Sequence, residues 1–189
     1  MTPILGYWNI KGAGLGVEFT YTQYKLCPTP TYDRSAWLSE KFLLGLPYCI
    51  DDGFKVTYSE AILEYIAGEY GMSEFGLLFQ SAVLHMLQCE VTDLRVSFVD
   101  RFINFDCEQL KHKFLEMLAR KLPYFEAYLG EKEWLTGKTI NYPDFNLCGL
   151  LIRLIEFNPK CLEQYPKLQA YLTRFKNLSE LKGYFHEVV

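Results

Sequence analysis

The feature that most restricts the fold is a change of pattern near Gly76. Before it, apolar residues come in short runs broken by glycine, proline and polar pairs; after it, they recur at helical spacing through long segments. Met1–Trp8 is short, apolar and stopped by Asn9, which predicts a strand, and Val17–Leu26 alternates in part and predicts a second. Cys27-Pro28-Thr29-Pro30 breaks the pattern, after which Ser35 can cap a short helix over Ala36–Leu44, closed by Gly45. Leu46–Ile50 and Phe54–Tyr58 read as a hairpin around Asp51-Asp52-Gly53, since Asp-Gly supplies the positive φ that two-residue turns need. Ser59 is then expected to cap a helix with Ile62, Leu63, Ile66 and Ala67 on one face.

Past Gly76 the expectation is helices only. Gly76–Phe102 holds no proline and carries Leu77, Val83, Leu84, Leu87, Val91 and Leu94. Cys107–Gly130 follows, with Phe114, Leu115, Leu118 and Leu122 at helical spacing and an interruption predicted at Pro123. Pro143–Phe157, Pro166–Leu178 and Ser179–Val188 complete the series. Strands and helices mixed first, then helices alone, make an α+β chain of two domains, 1–72 and 73–189, rather than one doubly wound sheet. Asn141-Tyr142-Pro143-Asp144 is a start signal for one helix: Asn at the cap, proline just inside, and Asp144 reaching back to the Asn141 amide. Its reading is a folding device.

Composition narrows the function. The formal charge of −4 and the absence of a basic cluster argue against nucleic acid or an anionic membrane as partner. His85, His112 and His186 are scattered without metal-ligand spacing, so no metal is expected. The six cysteines form no CxxC pair, and with no leader-like segment they read as reduced thiols of the cytosol. No apolar run reaches the ~18 residues of a membrane helix. Aromatic residues make up 16% of the chain, which suits a ring-rich core or a pocket for planar apolar ligands.

Five ordered segments then carry a likeness. They are Ile4–Gly12 (with Gly6-Tyr7-Trp8-Asn9), Tyr32–Phe42, Leu46–Asp51, Tyr58–Ala67, and the pair Asn141–Phe145 with Pro159–Leu162. Together they resemble the mu-class cytosolic glutathione transferases over nearly the whole chain. The resemblance implies a thioredoxin-like N-terminal domain that binds glutathione, followed by an all-helical domain with the electrophile pocket and dimer contacts. The implied reaction joins the glutathione thiol to small hydrophobic electrophiles, with glutathione as co-substrate and no cofactor. Thiolate is the nucleophile, and a free thiol with pKa ~8.5 is mostly protonated at neutral pH. A hydroxyl that donates to the sulfur anion stabilises it, and by resemblance that group belongs to Tyr7.

The remaining roles are likewise implied by the resemblance. Trp8 lies in the glutathione site; Trp37 and Lys41, four apart, hold the glycyl carboxylate; Leu46-Pro47 forms the turn whose backbone pairs with the cysteinyl part. Ser59, at a helix start, receives the γ-glutamyl carboxylate, and Tyr58 stands where the family usually has Gln. Asp93 reaches the glutathione amine of a partner subunit, and Ile103 takes the place of a tyrosine over the electrophile. The chain also departs from the pattern. The joints at 9–16 and 43–47 are short, the latter lacking the aromatic key that locks family dimers, and the chain stops at Val189 without the family's covering tail. These departures leave two functions in play, a transferase working as a weakened homodimer and a catalytically silent binder of the same fold. A thioredoxin-type redox protein is disfavoured by the missing CxxC.

Overall fold

The structure is a computed structural model that describes residues 4–8, 20–24, 47–72, 78–103 and 108–181. The chain divides into two compact units, Met1–Glu69 and Tyr70–Val189.

The first unit is built on a four-stranded sheet: β1 (Ile4–Trp8), β2 (Thr20–Tyr24), β3 (Tyr48–Asp51) and β4 (Phe54–Thr57), in the order β2-β1-β3-β4. β1 pairs with β2 in parallel, Ile4 opposite Thr20, and antiparallel with β3, Gly6 opposite Tyr48. A parallel neighbour demands a crossover; residues 9–19 lie outside the described residues, as does the short helix expected over Ala36–Leu44. β3 and β4 close as a two-residue hairpin with Asp51 opposite Phe54. Asp52 (φ 43°) and Gly53 (φ 86°) both have positive φ, the turn whose twist matches the strands and which Asp-Gly was expected to form.

Helix α1 (Ser59–Glu69) packs on β3 and β4 through a small cluster of Cys49 and Ile62, with Val56 and Ile66 half-buried beside it. Ala67 completes the buried face, while Leu63 is only half-buried. Ser59 is not the cap that its position suggests. It is the first helical residue, and its hydroxyl donates to its own neighbour, Glu60 Oε2, at 2.9 Å. The residue before it, Tyr58, turns the chain with φ 71°, and its carbonyl accepts the Ile62 amide at 2.9 Å.

The second unit is helical: α2 (Leu78–Ile103), α3 (Glu108–Leu129), α4 (Tyr142–Phe157), α5 (Pro166–Lys176) and a 3₁₀ turn at Ser179–Leu181. α4 is central, packing against α2 and α5, and it buries Leu147, Cys148, Leu150, Leu151 and Leu154. α2 presents Leu84, Leu87, Val91 and Leu94 to the core, but Val83, expected with them, is 37% exposed: it sits at the margin of that stripe, in the first turns of the helix. α3 is continuous where an interruption was expected. Pro123 sits inside it on the exposed side, where water can serve the carbonyl it leaves without a donor, while Leu122 and Phe125 stay buried and anchor both flanks. Much of the aromatic content fills this core: Phe98, Phe114 and Phe157 meet at centroid separations of 5.4–6.0 Å, and Trp134 meets Tyr171 edge-on at 5.7 Å. Among the described residues no helix is long and apolar enough to cross a membrane.

The start signal of α4 forms as expected. Asn141 N donates to Asp144 Oδ2 at 2.8 Å, while Oδ1 accepts from Leu135 N at 2.9 Å and the Tyr171 hydroxyl at 2.8 Å. Asp144 is fully buried, and its three donors replace the water it has lost.

Candidate functional site

The register of the first unit brings chemistry to one end of its sheet. Gly6 lies opposite Tyr48, and Tyr48 opposite Thr57, across β1, β3 and β4. The residues that follow outward from that line are Tyr7 and Trp8 on β1, Pro47 ahead of β3, and Tyr58 and Ser59 after β4. Five of the positions singled out by sequence therefore converge although they span more than fifty places in the chain. Trp37, Lys41 and Leu46 lie outside the described residues.

At this end the chain turns into α1 through Tyr58. A bulky residue with φ 71° is strained by the clash of its Cβ with the backbone, at a cost of roughly 1–3 kcal/mol. Its side chain offers little in return, being 71% exposed. Just beyond, the start of α1 carries the partial positive charge of a helix N-terminus, with Glu60 in its first turn. The sequence reasoning missed one further group here. Tyr65 Oη, on the second turn of α1, donates to Asp51 Oδ2 at 3.0 Å, and the Phe54 ring lies over Tyr65 at 4.7 Å. Burial, then Asp51, push the Tyr65 phenol up to about 12. Nothing local in the sequence announces this contact, since its partners are fourteen residues apart.

The other candidates lie on α2. Asp93 is exposed on an open depression of about 340 Å³, lined also by Val96, Ser97, Met117 and Lys121. Lys121 donates to Glu90 at 2.7 Å, one turn before Asp93. Ile103 is the last residue of α2, ten positions on and about 15 Å further along the axis. Towards its N-terminal end α2 is apolar outward as well as inward: Leu78 and Phe79 are 88% and 86% exposed, Val83 and Met86 follow, and Val96 lies further on. The Phe98–Phe114 and Glu90–Lys121 contacts set α3 antiparallel to α2, so exposed Tyr124 and Tyr128 fall at the Phe79–Met86 end of the pair.

Three of the described cysteines are poor candidates for thiol chemistry. Burial, with Asp51 nearby, pushes Cys49 up to about 11, and burial also raises Cys148 and Cys161. Those thiols stay protonated and so are poor nucleophiles. Among the described residues no group of three or more His, Cys, Asp or Glu side chains could hold a metal ion.

Comparison with known proteins agrees with this layout. The family "Glutathione S-transferase, N-terminal domain" matches residues 8–68, and "Glutathione S-transferase, C-terminal domain" matches 92–187. Glutathione S-transferase Mu 1 of Bos taurus is 36% identical, covering 97% of this chain and 90% of its own length; Glutathione S-transferase B of Cavia porcellus is 36% identical over 95% and 89%. The chain belongs to the glutathione S-transferase family. Within it, this transferase is a mu-class member, with the thioredoxin-like first domain and all-helical second domain of that fold. A solved Onchocerca volvulus pi-class glutathione S-transferase, 23% identical, superposes with TM-score 0.82 over 99% of this chain and 93% of its own, which shows the shared fold. The alignment to the bovine relative spans 199 positions, more than this chain's 189 residues, so the relative carries residues where this transferase has none.

Proposed function

We propose that this transferase joins the thiol of glutathione to small hydrophobic electrophiles, with residues 1–72 holding glutathione and 73–189 supplying the electrophile pocket and the dimer contacts. The observation that carries the reading is the convergence of Tyr7, Trp8, Pro47, Tyr58 and Ser59 at one end of the sheet. In this reading the Tyr7 hydroxyl donates to the sulfur and favours the thiolate, the backbone beside Leu46-Pro47 pairs with the cysteinyl part, and Trp8 borders the sulfur. Trp37 and Lys41 take the glycyl carboxylate, a cation and an indole donor suited to it. Tyr58 and Ser59 take the γ-glutamyl end, where the dipole of α1 favours an anion. Glu60 opposes that anion, so the Ser59 hydroxyl has to turn from Glu60 to the ligand on binding.

The dimer forms through the outward apolar face of α2 with Tyr124 and Tyr128 of α3, which leaves Asp93 free to meet the partner's glutathione amine. Lacking an aromatic key, it is weaker than its relatives and dissociates on dilution. Ile103 borders the electrophile, glutathione is consumed as co-substrate without a further cofactor, and the enzyme works in the cytoplasm.

The test is turnover of a chromogenic aryl halide with glutathione by the wild type and Tyr7→Phe. Turnover falling roughly 10- to 1000-fold in the variant, with folding intact, is expected for loss of one charge-assisted donor. Glutathione bound but never consumed by the wild type would instead make the chain a silent binder.

A further inference from the structure

α1 is an eleven-residue helix that, among the described residues, packs on its sheet through a small apolar cluster in which Cys49 and Ile62 are fully buried. A contact of that size and shape fixes distance well and rotation poorly, because apolar packing carries little directional preference. A directional bond crosses between helix and hairpin. Tyr65 Oη donates to Asp51 Oδ2 at 3.0 Å, and the Phe54 ring, centred 4.7 Å from that of Tyr65, packs on the phenol ring beside the bond. Asp51 ends β3 and opens the tight turn whose two positive-φ residues make it stiff, so the acceptor is itself anchored. Ser59 stands six residues before Tyr65, about 9 Å along the axis, so any rotation of the helix on its cluster carries the helix start with it. The strained turn at Tyr58 lies there, and strain of that kind persists only where the surroundings hold it.

From this geometry we infer that Tyr65 is a positioning residue for glutathione, its hydroxyl and Asp51 together holding α1 so that Tyr58 and Ser59 keep the geometry that receives the γ-glutamyl end. This rests on the reading that the γ-glutamyl end binds there. Tyr65 touches no substrate; it acts through the orientation of the helix. The phenol suits the task because it stays a neutral donor well above neutral pH.

Steady-state kinetics of Tyr65→Phe test it, since that change removes the donor and keeps the ring under Phe54. The expected result is a KM for glutathione raised roughly 3- to 10-fold, with kcat and the KM for the electrophile within about twofold of wild type. Asp51→Asn keeps an oxygen that accepts from Tyr65 and should restore the wild-type KM. Asp51→Ala should reproduce Tyr65→Phe, and the double variant should be no worse than either. If Tyr65→Phe fails to fold, the contrast between Asp51→Asn and Asp51→Ala decides in its place. A thermal midpoint that falls while KM stays put means the bond is only structural, and the inference is overturned. Ser59→Ala separates this from the underlying reading: an unchanged glutathione KM there removes the γ-glutamyl assignment itself, whereas a raised KM in Ser59→Ala with none in Tyr65→Phe removes the brace alone.

Discussion

α1 and α4 are both apolar helices, yet they are held in different ways. α4 is surrounded: nine of its residues are buried, and its one buried charge, Asp144, is satisfied by three donors from elsewhere in the helical unit. Among the described residues α1 has two that are fully buried, Ile62 and Ala67, and it carries a phenol–carboxylate bond to the hairpin. The contrast separates scaffold from site. Redundant packing makes a helix indifferent to small losses, whereas a helix with few contacts can be aimed, and mis-aimed, by one of them.

Breaking the comparison at its strong end should produce the largest effect. Asp144→Ala leaves the Leu135 and Asn141 amides and the Tyr171 hydroxyl buried without their acceptor, and should cost about 3–5 kcal/mol in chemical denaturation of the whole chain. A loss under about 1 kcal/mol would mean that water reaches the site and α4 is not the scaffold described. Next come paired cavities. Leu151→Ala, at full burial on α4, should cost about 3–5 kcal/mol, and Ile62→Ala on α1 nearer 2, because the thinner surroundings can collapse around it. Equal costs would erase the distinction. Smaller still, and opposite in sign, is Tyr58→Gly. Glycine adopts φ 71° without strain, so the variant should gain about 1 kcal/mol while its KM for glutathione rises, as the freed turn no longer fixes the helix start. A gain in stability with unchanged KM would strip the strain of function. The smallest effect is in alkali. The Tyr65 phenol lies at about 12 in the folded chain against 10.0 ordinarily, so its bond contributes fully below pH 10 and is lost as pH rises towards 12. Tyr65→Phe should therefore show a shallower decline of stability across that window, and identical slopes would place the phenol in ordinary solvent.

How far each part was legible follows from the same contrast. α4 and its start signal could be read from Asn141, Asp144 and the leucine spacing because the information is local and repeated. The hairpin was equally plain, since Asp52-Gly53 names its own turn. The errors fell where solvent decides the outcome. Pro123 breaks a helix in principle, but on an exposed face flanked by buried Leu122 and Phe125 the packing outweighs one lost bond. Val83 has the right residue type but sits at the margin of the buried stripe, near the start of the helix. Ser59 is a good capping residue that arrives one position late, because the turn was made by Tyr58, a residue with no preference for it. At the site, Tyr7, Tyr58 and Ser59 were recognisable only by likeness to a family, and the brace between Asp51 and Tyr65 not at all. A contact between distant positions leaves no periodicity to read.

The sheet order also bears on how the chain comes to be folded. β1 sits inside the sheet, its neighbours drawn from the parallel strand at Thr20–Tyr24 and from Tyr48–Asp51, more than forty residues away. Neither pairing can be reached by a tight hairpin, so each requires a long loop to close before any bond rewards it. The helical unit owes its backbone bonds to residues four places apart, so its helices can form early even though their main packing, α2 on α4 and α3 on α5, skips an element. On refolding, the four helices should consolidate first and the end of the sheet bearing Tyr7, Pro47 and Ser59 last, so that regain of activity lags behind regain of helical signal.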